Sequence, residues 1–193
     1  PTHASVPRQR LRMLLKRRYW LFYALTFMSG ARRQIFMVFS VFLLVKNFQF
    51  SLQAMTLLFL VNNAINWVVN PLVGRAINAF GERRLCIIEY VGVIAIFLTY
   101  AYAASPVVVA AMYIVDSILF NFAMAIRTYF QKIADREDIA PTSAVGFTIN
   151  HIAAVFLPVT LGLVWIAAPA AVFLIAAGIS AGSLMLSFLI PLD

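Results

Sequence analysis

The chain has 193 residues, 63% hydrophobic and 11% charged. Soluble domains average about 45–50% apolar and about 25% charged, so there are too few polar side chains to coat a soluble globule. This excludes a soluble enzyme domain, a disordered segment and a secreted disulfide scaffold, since Cys86 is the single cysteine and reads as a small buried apolar residue. The 15 Lys+Arg exceed the 7 Asp+Glu by +8. They gather at the ends of apolar runs, as membrane topology requires, and nucleic acid is not an expected partner.

The chain opens on Pro1 and shows no short basic-then-apolar leader. The sequence predicts a start inside a longer gene product, or at a processed end. Residues 1–18 form a basic segment. Arg8 to Arg18 reads either as a solvated cytoplasmic linker or as a surface-lying amphipathic helix with Leu11, Leu14 and Leu15 on its apolar side.

Residues 19–193 carry six apolar runs, each near the roughly 20 residues a spanning helix needs. They cover 19–45, 52–73, 85–104, 107–130, 141–166 and 168–190. Period-two alternation is missing, which excludes barrel strands. Ser105-Pro106 and Pro169 mark two of the connections, Gly74 to Arg84 a third, and Pro141 opens the fifth helix in its first turn. Arg17, Arg18, Arg75, Arg83, Arg84, Arg127, Lys132 and Arg136 fall on one side if the spans alternate, and Lys46 alone falls on the other. That asymmetry predicts an all-α membrane protein, multi-pass in a plasma membrane or bacterial inner membrane, with both termini cytoplasmic.

Charged groups at mid-bilayer cost about 2.5–3.5 kcal/mol on insertion scales and are retained facing a cavity or a partner. At about 1.5 Å per residue, Arg32 and Arg33 lie about 20 Å into a core about 30 Å thick. Asn62, Asn63 and Asn66 fall near the middle of the second run, Asp116 of the fourth, and Asn150 and His151 of the fifth. Thr26, Gly30, Arg33, Met37 and Ser40 form one stripe of the first run. Arg33 is therefore the expected cavity residue, and Arg32, about 100° away, is expected to seek a neighbour such as Asp116. Asn62, Asn66 and Asn150 are candidate substrate contacts, with interhelical packing as their other reading. Asp116 and His151 are candidates for ion or proton coupling. Glu89, near the cytoplasmic end of its run, is expected to pair with Arg127, Arg75 or Arg83 as a structural or gating tie. The third and sixth runs, otherwise apolar, read as outer supports, the sixth with a close-packing step at Gly178 and Gly182.

The segment Gly74-Arg75-Ala76-Ile77-Asn78-Ala79-Phe80-Gly81-Glu82-Arg83-Arg84 resembles the cytoplasmic loop signature of the major facilitator superfamily. That signature has Gly, an acidic residue four positions on, then Gly and a basic pair. Asn78 replaces the acidic residue here, and Glu82 follows the second Gly. The resemblance covers nearly the whole chain and implies a C-terminal six-helix half of a secondary transporter. The first, second, fourth and fifth helices would line the cavity, with the third and sixth outside. The partner would be an N-terminal six-helix half, in the same or another gene product, or a second copy. The expected function is alternating-access transport of a small solute, with an anion the candidate class, coupled to protons or another ion. A non-transporting assembly or sensor protein on the same fold is the alternative. No HExxH or GxSxG motif is present, and Asp135, Glu137 and Asp138 read as a solvated turn beside Arg136 and Lys132. No enzymatic activity, cofactor or metal is expected.

Overall fold

A computed structural model describes residues 15–191. Arg8, Arg10, Arg12, Leu11 and Leu14, and with them most of the expected linker or surface helix, lie outside the described residues. Six helices are long and apolar enough to cross a membrane: α1 (Arg17–Asn47), α2 (Leu52–Phe80), α3 (Glu82–Tyr102), α4 (Pro106–Ile133), α5 (Ile139–Ala167) and α6 (Pro169–Ser187). Short connections make them run alternately up and down. Ser51 caps α2 by accepting from the Ala54 N–H at 3.2 Å. Pro106 and Pro169 occupy first-turn positions, where the missing N–H is harmless.

The connection expected over Gly74 to Arg84 is mostly helix. α2 continues through Pro71 and Gly74 to Phe80, because Val73 and Ile77 are buried against apolar neighbours and hold its last turns in place. The turn shrinks to Gly81, whose φ of 79° suits glycine, and its N–H closes onto the Ile77 carbonyl at 3.0 Å.

α3 packs lengthwise on α6. α1 packs on α5 and α6, α4 on α2 and α3, and α1 meets α4; α2–α3 and α5–α6 are the other neighbouring pairs. Exchanging α1–α3 for α4–α6 leaves this set of pairs unchanged, and the two triplets begin at opposite ends of the bundle, so the repeat is inverted. Pro71 and Pro158 are 87 residues apart (158 − 71), inside two helices of 29 residues each, and Glu82 and Pro169 open α3 and α6 at the same offset (169 − 82). Buried Leu85, Cys86, Glu89, Tyr90, Val93, Ile96 and Tyr100 of α3 correspond one by one to buried Val172, Phe173, Ala176, Ala177, Ser180, Ser183 and Ser187 of α6. Five of these seven α6 residues are Ala or Ser, which lets the axes of α3 and α6 approach.

α3 and α6, read as supports outside the polar-lined helices, are well buried within this six-helix bundle. With α1 they form its interior, 44%, 39% and 44% buried respectively, against 11% for α2 and for α5. Their near-uniform apolarity is what allows burial on several sides. Of the expected close-packing step, a methyl at Gly178 would meet nothing within 4 Å, whereas one at Gly182 would lie 3.3 Å from the Met28 methyl of α1. Tighter approaches lie between α1 and α5, where a methyl at Gly30 would overlap Asn150 Oδ1, and between α3 and α4, where one at Gly92 would meet Leu119 Cδ1 at 2.6 Å.

Two apolar clusters fill the interior. One, from Tyr19 to Leu25 on α1, Leu85 to Tyr90 on α3 and Ala125 to Phe130 on α4, occupies the end that carries most of the Arg and Lys. The other, from Ile35 to Leu44, Val93 to Tyr100, Val109 to Tyr113 and Val172 to Ala177, fills the opposite half. Between them lies a buried polar layer of Ser29, Arg32, Glu89, Asp116, Ser180 and Ser183.

The basic end is tied by side chains. Lys16 Nζ and Tyr19 Oη both donate to Asp138 Oδ2, the latter at 3.0 Å, and Asp138 is buried. Lys132 Nζ meets Glu82 Oε2 at 2.9 Å, and Arg83 lies over the Phe188 ring. The acidic stretch before α5 is thus only partly a solvated turn. Asp135 is exposed, while Asp138 anchors the start of α1 against the start of α5.

Candidate functional site

The polar layer centres on Arg32. Its Nη2 donates to Glu89 Oε1 at 2.6 Å and its Nη1 to Asp116 Oδ1 at 3.4 Å, with all three side chains at most 1% exposed. Asp116 is the neighbour expected for Arg32. Glu89 is not paired with Arg127, Arg75 or Arg83. α3 begins at Glu82, so Glu89 lies about 10 Å inside it, two turns from the end. The long Arg32 side chain leans toward the N-terminus of α1, which is the same end of the bundle. Glu82 takes the end position and the partner Lys132. One cation against two carboxylates leaves a formal charge of −1. Glu89 Oε2, Asp116 Oδ2 and Arg32 Nε have no hydrogen-bond partner among the described residues.

Arg33 points elsewhere. It lines a cavity of ≈ 410 Å³ between α1, α4 and α5, with Thr26, Gly30, Gln34, Arg127, Asn150 and His151 on the wall beside Phe120 and Phe147. The Phe120 ring lies under both arginines, 4.5 Å from the Arg33 guanidinium carbon and 5.2 Å from that of Arg32. It therefore separates the buried charge layer from the cavity. A second cavity of ≈ 320 Å³ shares Thr26, Arg127, Phe147 and Asn150 and extends the groove toward Gln131 and Ser143 at the basic end.

The stripe Thr26, Gly30, Arg33 and Met37 faces this cavity, but Ser40 does not. Beyond Ile35 the helix widens into two π-helical stretches, Phe36–Ser40 and Leu43–Asn47. The wider turn shifts the angular position of the residues beyond Ile35, so Ser40 turns inward, fully buried, and donates to the Phe36 carbonyl.

Asn150 Oδ1 is buried against Gly30 without a partner. His151 Nδ1 lies 2.9 Å from the Phe147 carbonyl. A carbonyl only accepts, so Nδ1 carries the hydrogen there. No carboxylate lines the cavity, and among the described residues neither Arg33 nor Arg127 has an acidic partner.

Asn62 and Asn66 lie away from this cavity. Asn66 Nδ2 donates to Ser117 Oγ at 2.8 Å and to Asn62 Oδ1 at 3.4 Å, and Asn121 Nδ2 donates to Asn66 Oδ1 at 2.5 Å. These side chains join α2 to α4. Arg75 sits exposed on the last turns of α2 with no acidic partner among the described residues. The candidate residues thus divide into three groups: a buried charge layer (Arg32, Glu89, Asp116), a basic cavity (Arg33, Arg127, Asn150, His151) and an α2–α4 tie (Asn62, Asn66). Ser117, Phe120 and Asn121 were not expected. Ser117 and Asn121 are four residues apart on one helical face, a spacing readable from the sequence.

A six-helix membrane bundle with a buried charge layer and a carboxylate-free cavity is the class these observations define. No protein-family model, no curated protein and no solved structure matches the chain.

Proposed function

We propose that the chain is one six-helix half of a secondary transporter of the major facilitator type, moving a small anion across a membrane by alternating access. The observation that carries this is the cavity of α1, α4 and α5, where Arg33 stands with donor groups and no carboxylate. An arginine held at membrane depth without a counter-ion calls for an anion that comes and goes. The inverted repeat of the two triplets supports the reading, because such repeats let a bundle exchange two openings around one site. The basic end is cytoplasmic in this reading. Asp116, with Glu89 and Arg32, is the candidate ion- or proton-coupling group. The open side of the cavity is completed by an N-terminal half or a second copy.

The test is uptake of labelled small anions by the full-length protein in liposomes, compared with Arg33→Gln. Loss of uptake at unchanged expression and folding is expected. Normal uptake by the variant would remove Arg33 from the site, and binding without flux would turn the reading to a sensor.

A further inference from the structure

We infer that the anion is an organic dianion, held at one end by Arg33 and at the other by Arg127; this rests on the anion-binding reading of the same cavity. Arg127 serves here as a second binding point rather than as an ion-pair or gating residue. Both arginines line one cavity, come from different helices, and lack an acidic partner among the described residues. Two uncompensated cations facing one space repel each other, and a single negative charge leaves one of them unmatched.

The spacing argues for an elongated ligand. The Arg33 guanidinium lies over the Phe120 ring at 4.5 Å. Arg127 follows Phe120 by seven residues, across a 3-10 turn at Asn121–Ala123, and lines the same cavity about 12 Å further along. Its side chain leans back toward the N-terminus of α4, which narrows the gap that the chain of an organic dianion would span. Ile126, Phe147 and Ala154 supply an apolar wall for such a chain. The Asn150 amide on the wall adds a neutral hydrogen-bonding group. A compact inorganic anion would use neither the apolar wall nor the length.

The test uses succinate, butyrate and sulfate as probes of the full-length protein in lipid nanodiscs, by calorimetry at constant ionic strength. Succinate is expected to bind at least about tenfold more tightly than butyrate, as a charge-assisted contact made by one and not the other implies. Arg127→Gln should erase that preference while butyrate still binds, Arg127→Lys should keep it, and Arg33→Gln should weaken both. Equal binding of succinate and butyrate by the parent protein would overturn the inference, as would a preference that survives Arg127→Gln. Sulfate binding with both organic probes silent would overturn the organic dianion but leave an anion site. Silence of all three probes in a folded protein would overturn the anion-binding reading itself.

Discussion

Arg32 and Glu89 meet at 2.6 Å in a buried layer between two apolar clusters. Their pairing, with Asp116 on the other guanidinium nitrogen, ties α1, α3 and α4 together at one level. Removing one partner of a buried pair leaves the other uncompensated, typically a loss of about 3–5 kcal/mol. Arg32→Met, which strands two carboxylates, should destabilise most. Glu89→Gln should cost less, and Asp116→Asn, with its longer 3.4 Å contact, least. Denaturant unfolding in detergent micelles measures this order, and an Arg32→Met variant as stable as the parent would contradict it.

The contact of Gly30 with Asn150 predicts a volume effect. Gly30→Ala places a methyl on Asn150 Oδ1 and should cost about 1–3 kcal/mol. Shortening the opposing side chain in Gly30→Ala/Asn150→Ser should recover much of the loss. Gly178→Ala, which meets open space, should change the unfolding midpoint little. Equal effects at Gly30 and Gly178 would mean that α1 and α5 do not approach closely.

The two ion pairs before α5 should differ sharply. Asp138 is buried and accepts from Lys16 and Tyr19, so Asp138→Asn should cost about 1–3 kcal/mol. Asp135 is 60% exposed, and its pair with Arg18 at 3.3 Å should contribute at most about 1 kcal/mol. Added salt should abolish the Asp135 effect and leave most of the Asp138 effect. A comparable loss from both substitutions would place Asp138 at the surface.

The α2–α4 tie is separable from the cavity. Asn66→Ala removes its bonds to Ser117 and Asn121 and should destabilise by about 0.6–2 kcal/mol. It should leave binding of an anionic probe unchanged. A tenfold fall in affinity without loss of stability would move Asn66 into the site.

How much was legible differs between kinds of information. The depth of a residue in a span is its count from the helix end, so Arg32, Arg33, Asp116, Asn150 and His151 could be set at similar depth from the sequence. The grouping of Asn62 and Asn66 with them could not. The same depth on opposite sides of a bundle puts Asn66 against Ser117 and Asn121, while Asn150 lies beside Arg33. The segment Gly74 to Arg84 reads as a connection but is mostly helix, because burial of Val73 and Ile77 carries the helix through it. The 87-residue repeat was hidden because it survives as burial rather than identity, with Tyr90 matching Ala177 and Tyr100 matching Ser187.

By itself the sequence determined six apolar helices, their alternation, the basic end, and which side chains of one helix share a face, since all of these follow from hydropathy and the 3.6-residue period. Only the tertiary structure decided how each helix is rotated about its own axis against its neighbours. That rotation separates Arg32 from Arg33, one toward Glu89 and Asp116 and the other toward the cavity. It is set by packing between segments far apart in the chain, which no period within one helix records.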